Sequence, residues 1–155
     1  MITRIISGGQ TGVDRAALDT AIERRIQHGG WVPQGRSAED GPLGSQYCVE
    51  ETPSPEVSLR TEWNVRDADA TLIISHGQLV GGSKLTQQMA HQYDKPCLHV
   101  DLATLSVSDA AKQITHWLIA IRVKTLNVAG ARHSEDTAVY KRTRELLHMV
   151  LSSCA

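Results

Sequence analysis

Thr3-Arg4-Ile5-Ile6-Ser7-Gly8-Gly9-Gln10-Thr11-Gly12-Val13-Asp14-Arg15 opens the chain, and its reading decides the fold. A short apolar run stops at a glycine pair. After it Val13, Ala16, Ala17, Ala21, Ile22 and Ile26 recur at helical spacing as far as Gly29-Gly30, which predicts a strand, a tight turn and a helix. The same grammar returns at Ala70–Ser75, where Gly77 to Ser83 leads into a polar helix ending near Tyr93. It returns again at Pro96–Val100 with a helix over about 108–122, and at Thr125–Ala129 with a helix over about 135–151. Strands alternating with helices require crossovers, so the pattern predicts a doubly wound, mainly parallel α/β sheet of about five strands with helices on both faces. Near-continuous apolar strands fit a sheet covered on both sides.

The 155 residues are expected to form one domain over 1–155, a length that buries one self-sufficient core. Sixteen Lys and Arg balance 17 Asp and Glu. Without a basic run, the charge needed to track a nucleic-acid backbone is missing. Cys48, Cys97 and Cys154 are odd in number, widely spaced and free of any CxxC pair, which suits a reducing compartment. No secretory signal or membrane-length apolar run is read, so the expected location is the cytoplasm, away from membranes. The seven histidines show no metal-ligand spacing, and Gly-x-Ser-x-Gly is missing, so neither a metal site nor a nucleophile elbow is expected.

The candidate binding residues lie in the strand-to-helix turns. Gly8, Gly9, Gln10, Thr11 and Gly12 stand where a helix N-terminus offers free N–H groups to an anion, although neither the dinucleotide fingerprint nor the P-loop pattern matches. Asp14 complements the helix dipole. Arg15, a cation in the same first turn, calls for a ligand anion or a carboxylate partner. Gly77, Gly81, Gly82, Ser83 and Thr86 hold the equivalent place after the strand at 70–75, with Ser83 either capping the helix or adding a hydroxyl donor. Two such turns converge at the switch point of an open α/β sheet.

From Trp31 to Pro55 the rhythm breaks, with four of the five prolines, and a long irregular connection is expected. Gly35 and Arg36 fall inside it, Arg36 close to Glu39 and Asp40. They supply either polar specificity or a solvated ion pair. Arg60, Thr61 and Asn64 share one face of a short helix, and Asn64 joins the polar set.

Taken in order, SGGQTGVDRAALD at 7–19, GWVPQGRSAEDG at 30–41, RTEWNVRDADATLII at 60–74, GGSKLT at 81–86, KPCLHVDL at 95–102 and LNVAGARHS at 126–134 resemble the molybdenum carrier family over nearly the whole chain. That family is similar to the wider Rossmann-like superfamily containing the cytokinin-activating phosphoribohydrolases, often labelled lysine decarboxylases. The resemblance implies a homo-oligomer, dimer or tetramer, that holds the molybdenum cofactor, molybdopterin, with its phosphate on the glycine-rich turns. It implies a molybdoenzyme or a cofactor-synthesis enzyme as partner. The phosphoribohydrolases carry P-G-G-x-G-T-x-x-E, whereas this chain has Val80-Gly81-Gly82-Ser83-Lys84-Leu85-Thr86-Gln87-Gln88-Met89. The leading proline, a loop glycine and the glutamate are gone, and Gln87 and Gln88 cannot move a proton. The reading therefore leans toward a binding or carrier protein for a small phosphorylated ligand. Two alternatives stay open: a nucleoside monophosphate N-glycosidic hydrolase using Asp14, Glu39 or Asp40, and a nucleotide-sensing module.

Overall fold

The computed structural model describes residues 1–154. Strand β1 (Arg4–Ile6) leads into helix α1 (Val13–Glu23), which is followed by β2 (Gln27–Gly29). The helix stops short of Ile26 because Arg25 adopts a left-handed φ of 56° and turns the chain back onto the sheet. Next come β3 (Trp31–Val32), β4 (Glu50–Glu51), α2 (Val57–Asp67), β5 (Ala70–Ser75) and α3 (Gly81–Gln92). The chain ends with β6 (Cys97–Asp101), α4 (Val107–Ile121), β7 (Thr125–Gly130) and α5 (Val139–Ser153).

Five strands form one parallel sheet in the order β2-β1-β7-β5-β6. The register sets Ile5 beside Leu126, and Leu72 beside both Val128 and Leu98. From β1 the chain crosses one way to β2, and from β5 the other way to β6. Right-handed crossovers therefore place α1, α4 and α5 on one face and α2 and α3 on the opposite face. The sheet is doubly wound, as the strand-helix alternation predicts.

The two faces differ in chemistry. Because successive side chains alternate, Leu72 and Ile74 of β5 and Leu126 and Val128 of β7 point into the main apolar core beneath α1, α4 and α5. Their alternates, Thr71 and Ser75 of β5 and Asn127 of β7, are buried polar groups on the side of α2 and α3. This face, on which Ile73 and Ala129 are the apolar members, holds the candidate functional cleft.

The stretch expected as one irregular connection contains regular pairing at both ends. β3 and β4 pair in parallel, Trp31 beside Glu50, and bracket a loop whose Leu43 and Tyr47 join Leu18 and Val32 in a second, small apolar core. Ordering of this loop follows from that core and from the backbone contacts of Arg36.

Candidate anion cleft at the strand switch point

Beyond the carboxyl ends of β1, β7 and β5 lies a cleft of about 100 Å³. Asn127, Ala129 and Gly130 line it from β7, Arg60 and Thr61 from α2, and Gly82, Ser83 and Thr86 from α3. Gly8, Gln10 and Asp14 close one side, and Arg132 and Glu135 the rim. Gly130 is required by close approach, since a Cβ there would lie 2.0 Å from the Ile74 carbonyl oxygen.

Arg60 is the buried cation of the cleft, only 9% exposed. Its Nε donates to the Val57 carbonyl at 3.2 Å, and Nη1 donates to the Gly8 carbonyl at 2.7 Å and lies 3.4 Å from Asp14 Oδ2. No protein acceptor among the described residues meets Nη2, which is left for solvent or a ligand. Burial pulls the Arg60 pKa down while Asp14 pulls it back up, and Arg132 lies near enough to add a small downward push. Guanidinium nonetheless keeps its proton. Burial raises the Asp14 carboxyl above its ordinary range, against the opposing pull of Arg60 and of the Gln10 N–H. Arg132 is bound through Nε to Glu135 at 3.1 Å.

Helix α3 begins in this cleft without a cap. Val80 stands in the capping position in extended conformation and offers no side-chain bond, and Gly81 and Gly82 form the first turn itself. A Cβ on Gly82 would meet nothing within 4 Å, so its backbone is open to the cleft. Ser83 is 8% exposed and its hydroxyl has no hydrogen-bond partner among the described residues. Uncapped N–H groups and the positive end of the helix dipole favour an anion here. Thr86 contributes less, because its hydroxyl donates to the Gly82 carbonyl at 2.9 Å.

The turn before α1 is arranged differently from its sequence reading as a phosphate seat. Gln10 N donates to Asp14 Oδ2, Thr11 N to Gln10 Oε1, and Val13 N to the Ala131 carbonyl, so these donors already serve the protein. Gly9 (φ 75°) faces away from the cleft: a Cβ there would meet Val32 Cγ1 at 2.9 Å and Leu43 Cδ2 at 3.1 Å. Gly12 (φ 77°) is packed against the segment after β7, where a Cβ would lie 2.3 Å from the Ala131 carbonyl oxygen. Thr11 donates its hydroxyl to Glu39, which also accepts from the Ser134 N–H at 3.0 Å and hydroxyl at 2.7 Å. Neither helix has a side-chain N-cap bond; the cleft is lined by Gly82 and Ser83 from the first turn of α3, and from α1 by Asp14.

Several predicted residues stand elsewhere. Arg15 finds a carboxylate partner, clamping Asp40 at 2.9 and 3.1 Å, and lines a separate, more open cleft of about 350 Å³ with Asp19, Tyr47, His133 and Tyr140. Arg36 forms no ion pair with Glu39 or Asp40. Held at φ 56°, it donates instead to the carbonyls of Leu43, Gly44 and Tyr47. Gly35 N donates to Glu51, and Gly77 N to Asp101, each at 2.7 Å. Asn64 lines the anion cleft, yet its amide is spent on both backbone groups of Trp31, at 2.8 and 2.9 Å. Arg60 and Thr61, grouped by helical spacing with Asn64, are in the cleft. Asn127, Arg132 and Glu135 also line the cleft, although no sequence motif marks them as ligand contacts. What could mark them is their place within and just after the strand at 125–130.

The doubly wound parallel sheet with a cleft at its switch point defines a Rossmann-like α/β protein. The chain belongs to the Circularly permutated YpsA SLOG family, whose model matches residues 5–151. It is similar to a crystal structure named "Putative molybdenum carrier protein" from Syntrophus aciditrophicus SB, with 53% identity, 97% of this chain and 95% of that one covered, and a TM-score of 0.96. No curated protein matches the chain. Among the described residues, no helix is long and apolar enough to cross a membrane, and no group of three or more His, Cys, Asp and Glu is placed to hold a metal ion.

Proposed function

We propose that this protein binds a small phosphorylated ligand, its phosphate seated on the first turn of α3, and that the ligand is the molybdenum cofactor, held for transfer rather than turned over. The observation that carries the reading is the convergence of an uncapped helix N-terminus, the unpartnered Ser83 hydroxyl and Nη2 of the buried Arg60 on one cleft. Such donors match the acceptor oxygens of a phosphate. The name of the Syntrophus relative supports molybdenum cofactor over other phosphorylated ligands.

The cleft volume, about 100 Å³, is below the roughly 300–1,000 Å³ of pockets that bury a whole drug-sized ligand. It would hold the anionic head, with the rim residues Arg132 and Glu135 left to face the rest of the ligand. When bound, the cofactor supplies the phosphate and the metal chemistry. The residues here bind and orient it.

The hydrolase reading rests on Asp14 alone, because Glu39 and Asp40 lie outside the cleft and are engaged by Thr11, Ser134 and Arg15. Equilibrium binding of molybdenum cofactor, AMP and ADP-ribose to the protein and to Gly82→Asp tests the proposal. Cofactor binding weakened at least tenfold by the substitution is the expected result. Binding of the adenine ligands alone overturns the molybdenum assignment, and steady release of free base from a nucleoside monophosphate overturns the holding role.

A further inference from the structure

The anion cleft contains an acid as well as its cation. Asp14 sits in the first turn of α1 with a side chain only 10% exposed, and it lines the same narrow space as Arg60, Gly82 and Ser83. Its Oδ2 takes both N–H contacts available to it, Gln10 N at 3.2 Å and Arg60 Nη1 at 3.4 Å. The neighbouring Ser7 hydroxyl spends its proton on the Val128 carbonyl at 2.8 Å. Asp14 itself lines the cleft, so its carboxyl borders the space an anion enters. A carboxylate in this position repels the anion that the α3 terminus attracts, unless a proton stands between them.

We propose that Asp14 makes the cleft selective for oxyanions that share a proton with it, so that the anion-bound state holds one proton more than the sum of free protein and fully ionised ligand. A phosphate monoester brings that proton at mildly acid pH, whereas a sulfate has none to bring and obliges Asp14 to take one from water. The inference rests on the anion-binding reading of the cleft and adds its ionic specificity.

The charges facing Asp14 come from every neighbouring element: Arg60 from α2, Arg15 from its own helix, and Arg132 with its partner Glu135 from the segment after β7. Arg60 favours the ionised carboxylate and burial disfavours it, with burial the larger. The carboxyl is therefore already displaced toward protonation before any ligand arrives. An incoming anion pushes it further in the same direction.

Sulfate and phenyl phosphate serve as probes. Their dissociation constants are measured by titration calorimetry from about pH 5 to pH 8, in paired buffers of different ionisation heat. The sulfate constant is expected to weaken about tenfold per pH unit through part of that range, with uptake approaching one proton per sulfate bound. Phenyl phosphate is expected to outcompete sulfate at neutral pH. Asp14→Asn, which keeps the shape and loses the charge, is expected to flatten the sulfate profile and abolish the preference. Sulfate affinity that stays level within twofold across the range without proton uptake overturns the proposal, as does failure of sulfate to bind at pH 5 where phenyl phosphate binds. These wild-type measurements decide the matter even if the variant fails to fold. If neither probe binds wild-type protein at any pH, the anion-binding reading itself falls and takes the proposal with it.

Discussion

The guanidinium of Arg60 occupies the space that a side chain on residue 8 would fill. Its Nη1 is 2.7 Å from the Gly8 carbonyl oxygen, and a Cβ on Gly8 would lie 2.1 Å from that same nitrogen. Residue 8 is glycine so that a cation from α2 can be drawn against the end of β1. Gly8→Ala is expected to fold, because the atom in the way ends a flexible side chain, yet to displace Arg60 and weaken phosphate binding at least tenfold. Arg60→Ala strands Asp14 as a buried acid without its cation and is expected to cost about 3–5 kcal/mol in denaturant unfolding if the carboxyl remains ionised. A smaller loss at neutral pH indicates that Asp14 has taken up a proton instead.

The glycines of the two turns are expected to separate binding from folding. Gly82→Asp puts a carboxylate into open space at a helix N-terminus, where the dipole favours it by about 0.3–1 kcal/mol. The variant should melt about 1–4 °C higher and bind anions worse. Gly9→Asp meets Val32 and Leu43 at a left-handed φ, so its melting temperature should fall steeply whether or not ligand is present. Parallel thermal melts and binding titrations check both. A Gly82→Asp protein that binds normally would move the phosphate site elsewhere.

Glu39 fastens the loop between β3 and β4 to the ends of two other elements. The hydrogen bond from Thr11 is the main reason its carboxyl is held below the ordinary range, with Ser134 adding to it. A depressed folded pKa contributes stability that is fully present above the unfolded value, about 4.3, and disappears as pH falls through the lower folded value. Amide exchange at His133 and Ser134 should therefore stay slow down to about pH 4 and, once corrected for the intrinsic pH dependence, quicken below it. Glu39→Ala should show the quickened exchange already at neutral pH.

Asp19 receives the phenols of Tyr47 and Tyr140, both at 2.5 Å, and so ties α1 to the β3–β4 loop and to α5. Burial, then this bond, raises the pKa of each phenol. Raised folded values mean that the stabilisation is intact below the unfolded tyrosine value, about 10, and is lost as pH climbs through the higher folded value. Asp19→Ala is expected to lower stability by about 1–3 kcal/mol and to let both phenols ionise earlier in an ultraviolet absorbance titration.

Much of this architecture is legible in the sequence. The alternation of apolar runs with helical spacing is enough for a doubly wound sheet, because parallel neighbours need crossovers. Loop glycines before Ser83 mark the α3 turn. Other parts are not legible, for identifiable reasons. Whether Gly9 and Gly12 touch a ligand or the protein depends on what lies opposite them, Val32 and Ala131, which only the tertiary fold supplies. Arg36 and Arg15 look alike as loop and helix-start cations, but one reaches carbonyls seven to eleven residues ahead and the other a carboxylate 25 residues ahead. The buried polar set, Thr71, Ser75 and Asn127, shares its face with Ile73 and Ala129 and is hidden because a strand buried on both faces reads as apolar overall.

The strand order sets when the cleft comes into being. β7 lies between β1 and β5, so Arg4 pairs with Thr125 and the floor of the cleft is laid by the last strand of the chain. A nascent chain lacking that strand has β1 and β5 unjoined, with Arg60 facing neither Asn127 nor Gly130. A chain cut short before β7 still contains Arg60 and the first turn of α3 but lacks the floor that Asn127, Ala129 and Gly130 supply. Contacts that span so much of the chain slow folding, so the complete cleft is a property of the finished molecule.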